Sequence, residues 1–116
     1  MITRSDIRQE TNSITYSRGQ QVWQNGKVHD LKVETDQTKT EESVTKITAR
    51  VEGSSGEFYD VAISVDEKGS EILSDACTCP AYQKYWGLCK HCVAVLLAYI
   101  DWRKARRMEK ERQIAQ

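Results

Sequence analysis

The chain has no net charge, no long apolar run and no glycine-rich phosphate loop, and each absence removes a class of function. Seventeen basic residues are balanced by seventeen acidic ones over 116 residues. That balance excludes a uniformly basic nucleic-acid coat and an acidic solvating tail. The longest apolar run, Val93 to Ile100, is far short of the about 20 residues that span a bilayer, so no membrane partner is expected. The start, Met1-Ile2-Thr3-Arg4-Ser5-Asp6, has no hydrophobic targeting segment, which makes a cytoplasmic location the expectation. Gly53 and Gly56 are not followed by the Lys-Ser/Thr ending of a P-loop. There is no internal repeat. Hydrophobic residues make up 39% of the chain, enough for one small core and little more, so a metal or disulfide staple would help it fold.

What charge there is sits unevenly. Residues 101–116 hold six basic and three acidic groups and form the one locally basic stretch. Asp6 to Gln24 reads as helical, with a break near Asn12-Ser13, Ser5 as a candidate cap, and an apolar stripe of Ile7, Ile14, Gly19 and Val22/Trp23. Asn25-Gly26 is a helix stop. Period-two alternation marks strands at Val28–Thr35, Ser43–Glu52 and Glu57–Asp66, with a short fourth at Glu71–Ala76. Gly53-Ser54-Ser55-Gly56 and Asp66-Glu67-Lys68-Gly69 are turns, and Asp36 to Glu42 is a polar loop. Leu88 to Trp102 or beyond reads as a helix with two apolar faces, Cys92/Leu96/Tyr99 and Val93/Leu97/Ile100.

These signals predict one α+β domain: a helical lead (1–26), an antiparallel meander of three or four strands (27–76), a cysteine-bearing segment with a helix packed on the sheet (77–102), and a basic helical extension (103–116).

All four cysteines fall within Cys77–Cys92. In a reducing compartment such crowding points to metal rather than disulfides. The pattern is C-x-C, nine residues, then C-x-H. Zinc takes four N or S donors in a tetrahedron, and alternate residues at a strand end can converge on it. Cys89 near a helix start would favour thiolate. Redox chemistry at C-x-C would leave Cys89-Lys90-His91 unexplained. A Cys–His catalytic pair lacks an oxyanion hole and an orienting third group, so no enzymatic activity is expected. Cys89-x-x-Cys92 also has zinc-pair spacing, so a four-cysteine site without His91 is an alternative; otherwise Cys92 is a small buried helix residue.

The spacing resembles the SWIM zinc finger, C-x-C-x(n)-C-x-H, followed at once by an apolar helix. Arg18-Gly19-Gln20 and Asn25-Gly26-Lys27-Val28 extend the resemblance upstream, over roughly residues 14–102. In bacteria this finger is found near the N-terminus of Swi/Snf-type helicase-like ATPases or in small stand-alone proteins. The resemblance implies Zn2+ held by Cys77, Cys79, Cys89 and His91. It departs from the usual pattern at Cys92, where an aliphatic residue is usual. It also implies a zinc-stapled module that assists DNA binding in or near a helicase-like ATPase, present in cis or in trans. The alternative is a module that docks a partner protein or motor domain. Candidate nucleic-acid contacts are Lys84, Lys90, Arg103, Lys104, Arg106 and Arg107. Tyr82, Tyr85 and Trp86 lie in the finger loop, where Trp86 is expected to pack over the metal.

Overall fold

The first helix is set by its cap. Thr3 Oγ1 accepts from the Asp6 amide at 3.3 Å, and the Asp6 carboxylate accepts from the Thr3 amide at 2.8 Å. This reciprocal pair starts α1 at Arg4–Gln9. The cap is therefore Thr3 and not Ser5, which lies inside the helix: only Thr3 has an acidic residue three positions on. The computed structural model describes residues 1–36, 44–80 and 87–114, with the side chains of Asp36 and of residues 107–114 left aside. The expected loop at Asp36–Glu42 thus falls almost wholly outside the described residues. Asn12 caps α2 (Ser13–Gln24) through its side chain, which accepts from Thr15 at 2.8 Å, and Gly26 at φ +70 ends it. Ile14, expected on the apolar stripe, is instead 65% exposed, at the edge of the cleft shared with the start of α3. Tyr16 and Gly19 form the buried face.

β1 (Val28–Asp36), β2 (Val44–Glu52), β3 (Phe58–Asp66) and β4 (Glu71–Cys77) form one antiparallel sheet in sequential order. Two bulges set which side chains reach the core. In β1, Asp30 and Leu31 together oppose Ala49, with Asp30 at φ +54. The extra residue brings Val28, Leu31 and Val33 to one face although their spacing is irregular. In β4 the extra residue is Leu73: Ser64 pairs with Ser74, but Val65 pairs with Ile72. Cys77 therefore stands opposite Val61, on the core face. Were Leu73 paired instead of bulged out, Cys77 would stand opposite Asp60, on the outer face.

α3 (Lys90–Ile114) begins at the metal site, and its first two turns run between the sheet and α2. Every residue from His91 to Leu97 is buried, as a helix covered on two sides requires. Of the two apolar faces read from the sequence, one brings Val93 against α2 at Gly19 and the other brings Tyr99 to Glu67 after β3. Ile47, Val51, Val61, Ile63 and Val65 supply the sheet side, each worth about 1.5–3 kcal/mol of burial. Gly19 lets α2 approach α3 closely: a Cβ there would lie 2.5 Å from the Val93 side chain. No helix among the described residues is long and apolar enough to cross a membrane.

The middle of α3 is anchored at the β3–β4 turn. Arg103 donates to both carboxylate oxygens of Glu67 at 2.9 and 3.0 Å and to the Ile2 carbonyl at 2.7 Å. Tyr99 donates to the same carboxylate at 2.6 Å. Burial first, and the Glu67 carboxylate second, push the Tyr99 phenol up to about 12.

Candidate metal centre

The donors come from two elements meeting end to end. Cys77 is the last residue of β4. Beyond it the chain stays pinned to β3: the Thr78 amide donates to the Asp60 carbonyl at 3.1 Å, and the Asp60 amide donates to Thr78 Oγ1 at 2.9 Å. The strand alternation is thereby carried one step past β4, and both Cys77 and Cys79 are buried. Cys89 caps α3, its carbonyl accepting from the Val93 amide at 3.0 Å. His91 follows in the first turn and is 4% exposed.

The donor atoms of Cys77, Cys79, Cys89 and His91 all lie within 4.8 Å of one another. Cys77 Sγ is 3.7 Å from His91 Nδ1. Tetrahedral zinc, with bonds of about 2.3 Å to sulfur and about 2.0–2.1 Å to nitrogen, sets an S···N edge of about 3.6 Å. The residues fit the ion in geometry and in donor softness. Four protein donors complete the tetrahedron, as in structural rather than catalytic zinc sites. Zinc held by Cys77, Cys79, Cys89 and His91 would supply a cross-link between the strand end and the helix start, and a dication to balance the thiolates.

The thiols need that balance. The Cys89 thiol is held low, first by its hydrogen bond with Cys77 and then by that with Cys92. Cys77 is raised, chiefly through the same contact with Cys89. Cys92 is raised by its contacts with Cys77 and Cys89 and by burial.

Cys92 is fully buried, and its Sγ lies 3.6 Å from Cys89 Sγ in a sulfur–sulfur hydrogen bond. It stands outside the set of four, which includes His91. The arrangement favours the Cys3His set over the four-cysteine alternative.

Three supports of the site carried no clear signal in the sequence. The Tyr59 ring lies against His91, centroids 4.9 Å apart, and Gly53 leaves room for it. Leu88 is clasped by the α1–α2 connection: its amide donates to the Glu10 carbonyl at 2.9 Å, and its carbonyl accepts from Thr11 Oγ1 at 2.9 Å. Gly87, at φ +82, faces the Glu10 carbonyl so closely that a Cβ would collide with it. Gly87 is visible in the sequence as a loop residue ahead of Cys89, but its partner, 77 residues upstream, is not.

The candidate cations separate into groups. Lys90 is half-buried beside the metal site, and Arg18 of α2 is exposed across from it. Both line two adjoining clefts. One, of about 490 Å³, is also lined by Asn12, Ile14, Cys79, Cys89 and His91; the other, of about 320 Å³, by Gln21, Asn25 and Lys27. Lys104 and Arg106 are exposed on α3, and the Arg106 guanidinium lies 4.9 Å from the Trp102 ring. Arg103 is engaged with Glu67 and Ile2. Arg107 lies on α3, its side chain outside the description, and Lys84, Tyr82, Tyr85 and Trp86 fall outside the described residues.

Residues 59–100 match the family model of the SWIM zinc finger. The matched segment runs from Tyr59, through β4 and the four donors, to the second and third turns of α3; α1, α2, β1 and β2 lie outside it. No curated protein and no solved structure matches the chain.

Proposed function

From the premise that this chain carries a SWIM zinc finger, we propose that it is a zinc-stapled module that binds nucleic acid, DNA in the first instance, on behalf of a helicase-like ATPase in cis or in trans. The observation that carries the reading is the convergence of Arg18 and Lys90, from two different helices, on the rim of the clefts beside the metal centre. Neither depends on the net charge of the chain, since a local cationic patch suffices for phosphate contact. Asn12, Thr15, Gln21 and Asn25 add neutral hydrogen-bonding groups along the same rim. Lys104 and Arg106 lie 14 and 16 residues further along α3, about 21–24 Å at 1.5 Å per residue, where they extend the contact along a backbone.

The test is fluorescence anisotropy with labelled duplex and single-stranded oligonucleotides across a salt series. Binding that weakens steeply with salt supports the reading. The Arg18→Gln and Lys90→Gln variants, checked for zinc content, should each reduce the slope of log K against log salt by about 0.9. Absence of binding at low salt would sink it.

A second reading, docking to a protein partner, rests on Ile14. This residue is 65% exposed on the rim of the larger cleft, an apolar anchor next to polar neighbours.

A further inference from the structure

Cys92 has no place among the four donors, yet its position is specific. Cys89 is the cap of α3 and Cys92 the third residue of the helix, the two positions whose side chains meet in a capping box. Here both carry sulfur, and the two Sγ atoms stand 3.6 Å apart. A disulfide at about 2.05 Å requires them to close by about 1.5 Å, which side-chain rotation within one helical turn can supply. Access to the two sulfurs differs. Cys89 lines the larger cleft, with Asn12, Ile14, Arg18 and Gly87; Cys92 does not line it and is 0% exposed.

We propose that Cys89 and Cys92 are an oxidation site for a hydroperoxide, with Cys89 the attacked sulfur, Cys92 the resolving one, and release of the metal the result. The Cys89 sulfur attacks the terminal peroxide oxygen and the O–O bond breaks. The leaving oxygen takes a proton from solvent and departs as water or an alcohol, and Cys89 becomes a sulfenic acid. The Cys92 sulfur then attacks the Cys89 sulfur. The S–O bond breaks, the hydroxyl leaves as water with the Cys92 proton, and the S–S bond forms. Two electrons pass from the two thiols to the peroxide. The centre is left with three donors and gives up its metal, and the Cys77 and Cys79 thiolates take up protons from solvent. A dithiol reverses the change by thiol–disulfide exchange. The inference rests on the metal centre and is independent of the nucleic-acid reading.

The experiment uses the zinc-loaded chain and hydrogen peroxide. A chromogenic chelator follows metal release, and peptide mass mapping after thiol blocking locates the product. The expected result is loss of two hydrogens at a Cys89–Cys92 bond, in step with zinc release, and recovery of zinc binding after dithiothreitol. In Cys92→Ala, which keeps all four donors, peroxide should carry Cys89 on to sulfinic or sulfonic acid, and dithiothreitol should restore no binding. A disulfide between any other pair, or full recovery of the variant by dithiothreitol, would overturn the proposal. Should Cys92→Ala fail to hold zinc, the mapping in the wild-type chain decides the matter alone.

Discussion

His91 is held from two directions: Cys77 faces its Nδ1, and the Tyr59 ring covers its face. A donor fixed in this way contributes through geometry as well as through its lone pair. His91→Ala should therefore abolish stoichiometric zinc in protein prepared without chelators. Cys92→Ala should leave one zinc per chain and cost about 1 kcal/mol of stability through a small cavity. Retention in the first variant with loss in the second would establish a four-cysteine site instead. The donors were legible because their spacing is local: C-x-C at a strand end and C-x-H at a helix start state their own geometry. Tyr59 was not, because it reads as an ordinary strand aromatic and its partner lies 32 residues away. Arg103 read as a free cation of a basic tail, and only the fold brings Glu67 and Ile2 to it.

The crossing of α2 on α3 is governed by Gly19. In an isolated helix, Gly→Ala gains about 1 kcal/mol. Here the added Cβ would meet Val93 Cβ and Cγ1 at 2.5 Å and the Lys90 carbonyl at 2.8 Å. Overpacking of this kind costs about 1–3 kcal/mol, and the carbonyl belongs to a helix that cannot yield locally. Gly19→Ala should lower the melting temperature, and adding Val93→Ala should recover part of the loss. A rise in the single variant would show that the helices separate easily. At this scale the sequence announced the break at Asn12-Ser13, the four strands and the long last helix, each within about two residues. The exposed Ile14 and the α1 cap were misplaced, since an apolar position on a short helix does not say what lies opposite it, and one hydroxyl near a helix start looks much like another. The bulge in β1 accounts for the irregular spacing of Val28, Leu31 and Val33, which a strict alternation could not reconcile.

The whole molecule hangs on the junction of β4, α3 and the α1–α2 connection. Structural zinc contributes apparent values of about 10–16 kcal/mol in finger peptides, comparable to the entire stability of an ordinary domain. Chelation should therefore undo more than the site. Once the Cys89 segment loosens, Leu88 releases Glu10 and Thr11, and α2 loses its footing together with the start of α3. Circular dichroism should show loss of much of the helical signal and a lower melting temperature on chelation, both restored by zinc. An unchanged spectrum and melting point would refute this. Leu73 carries a further consequence, for how the chain can change in length. Whether Cys77 meets the metal depends on the parity of the number of residues paired with β3 between Ile72 and the strand end. Additions to the turn at residues 67–70 leave that parity alone. Deleting Leu73 would straighten β4 and leave Cys77 opposite Val61, whereas pairing Leu73 into the ladder with every residue kept would turn Cys77 toward the outer face. In this stretch the molecule can spare the extra residue but, while it is present, not the bulge that takes it up.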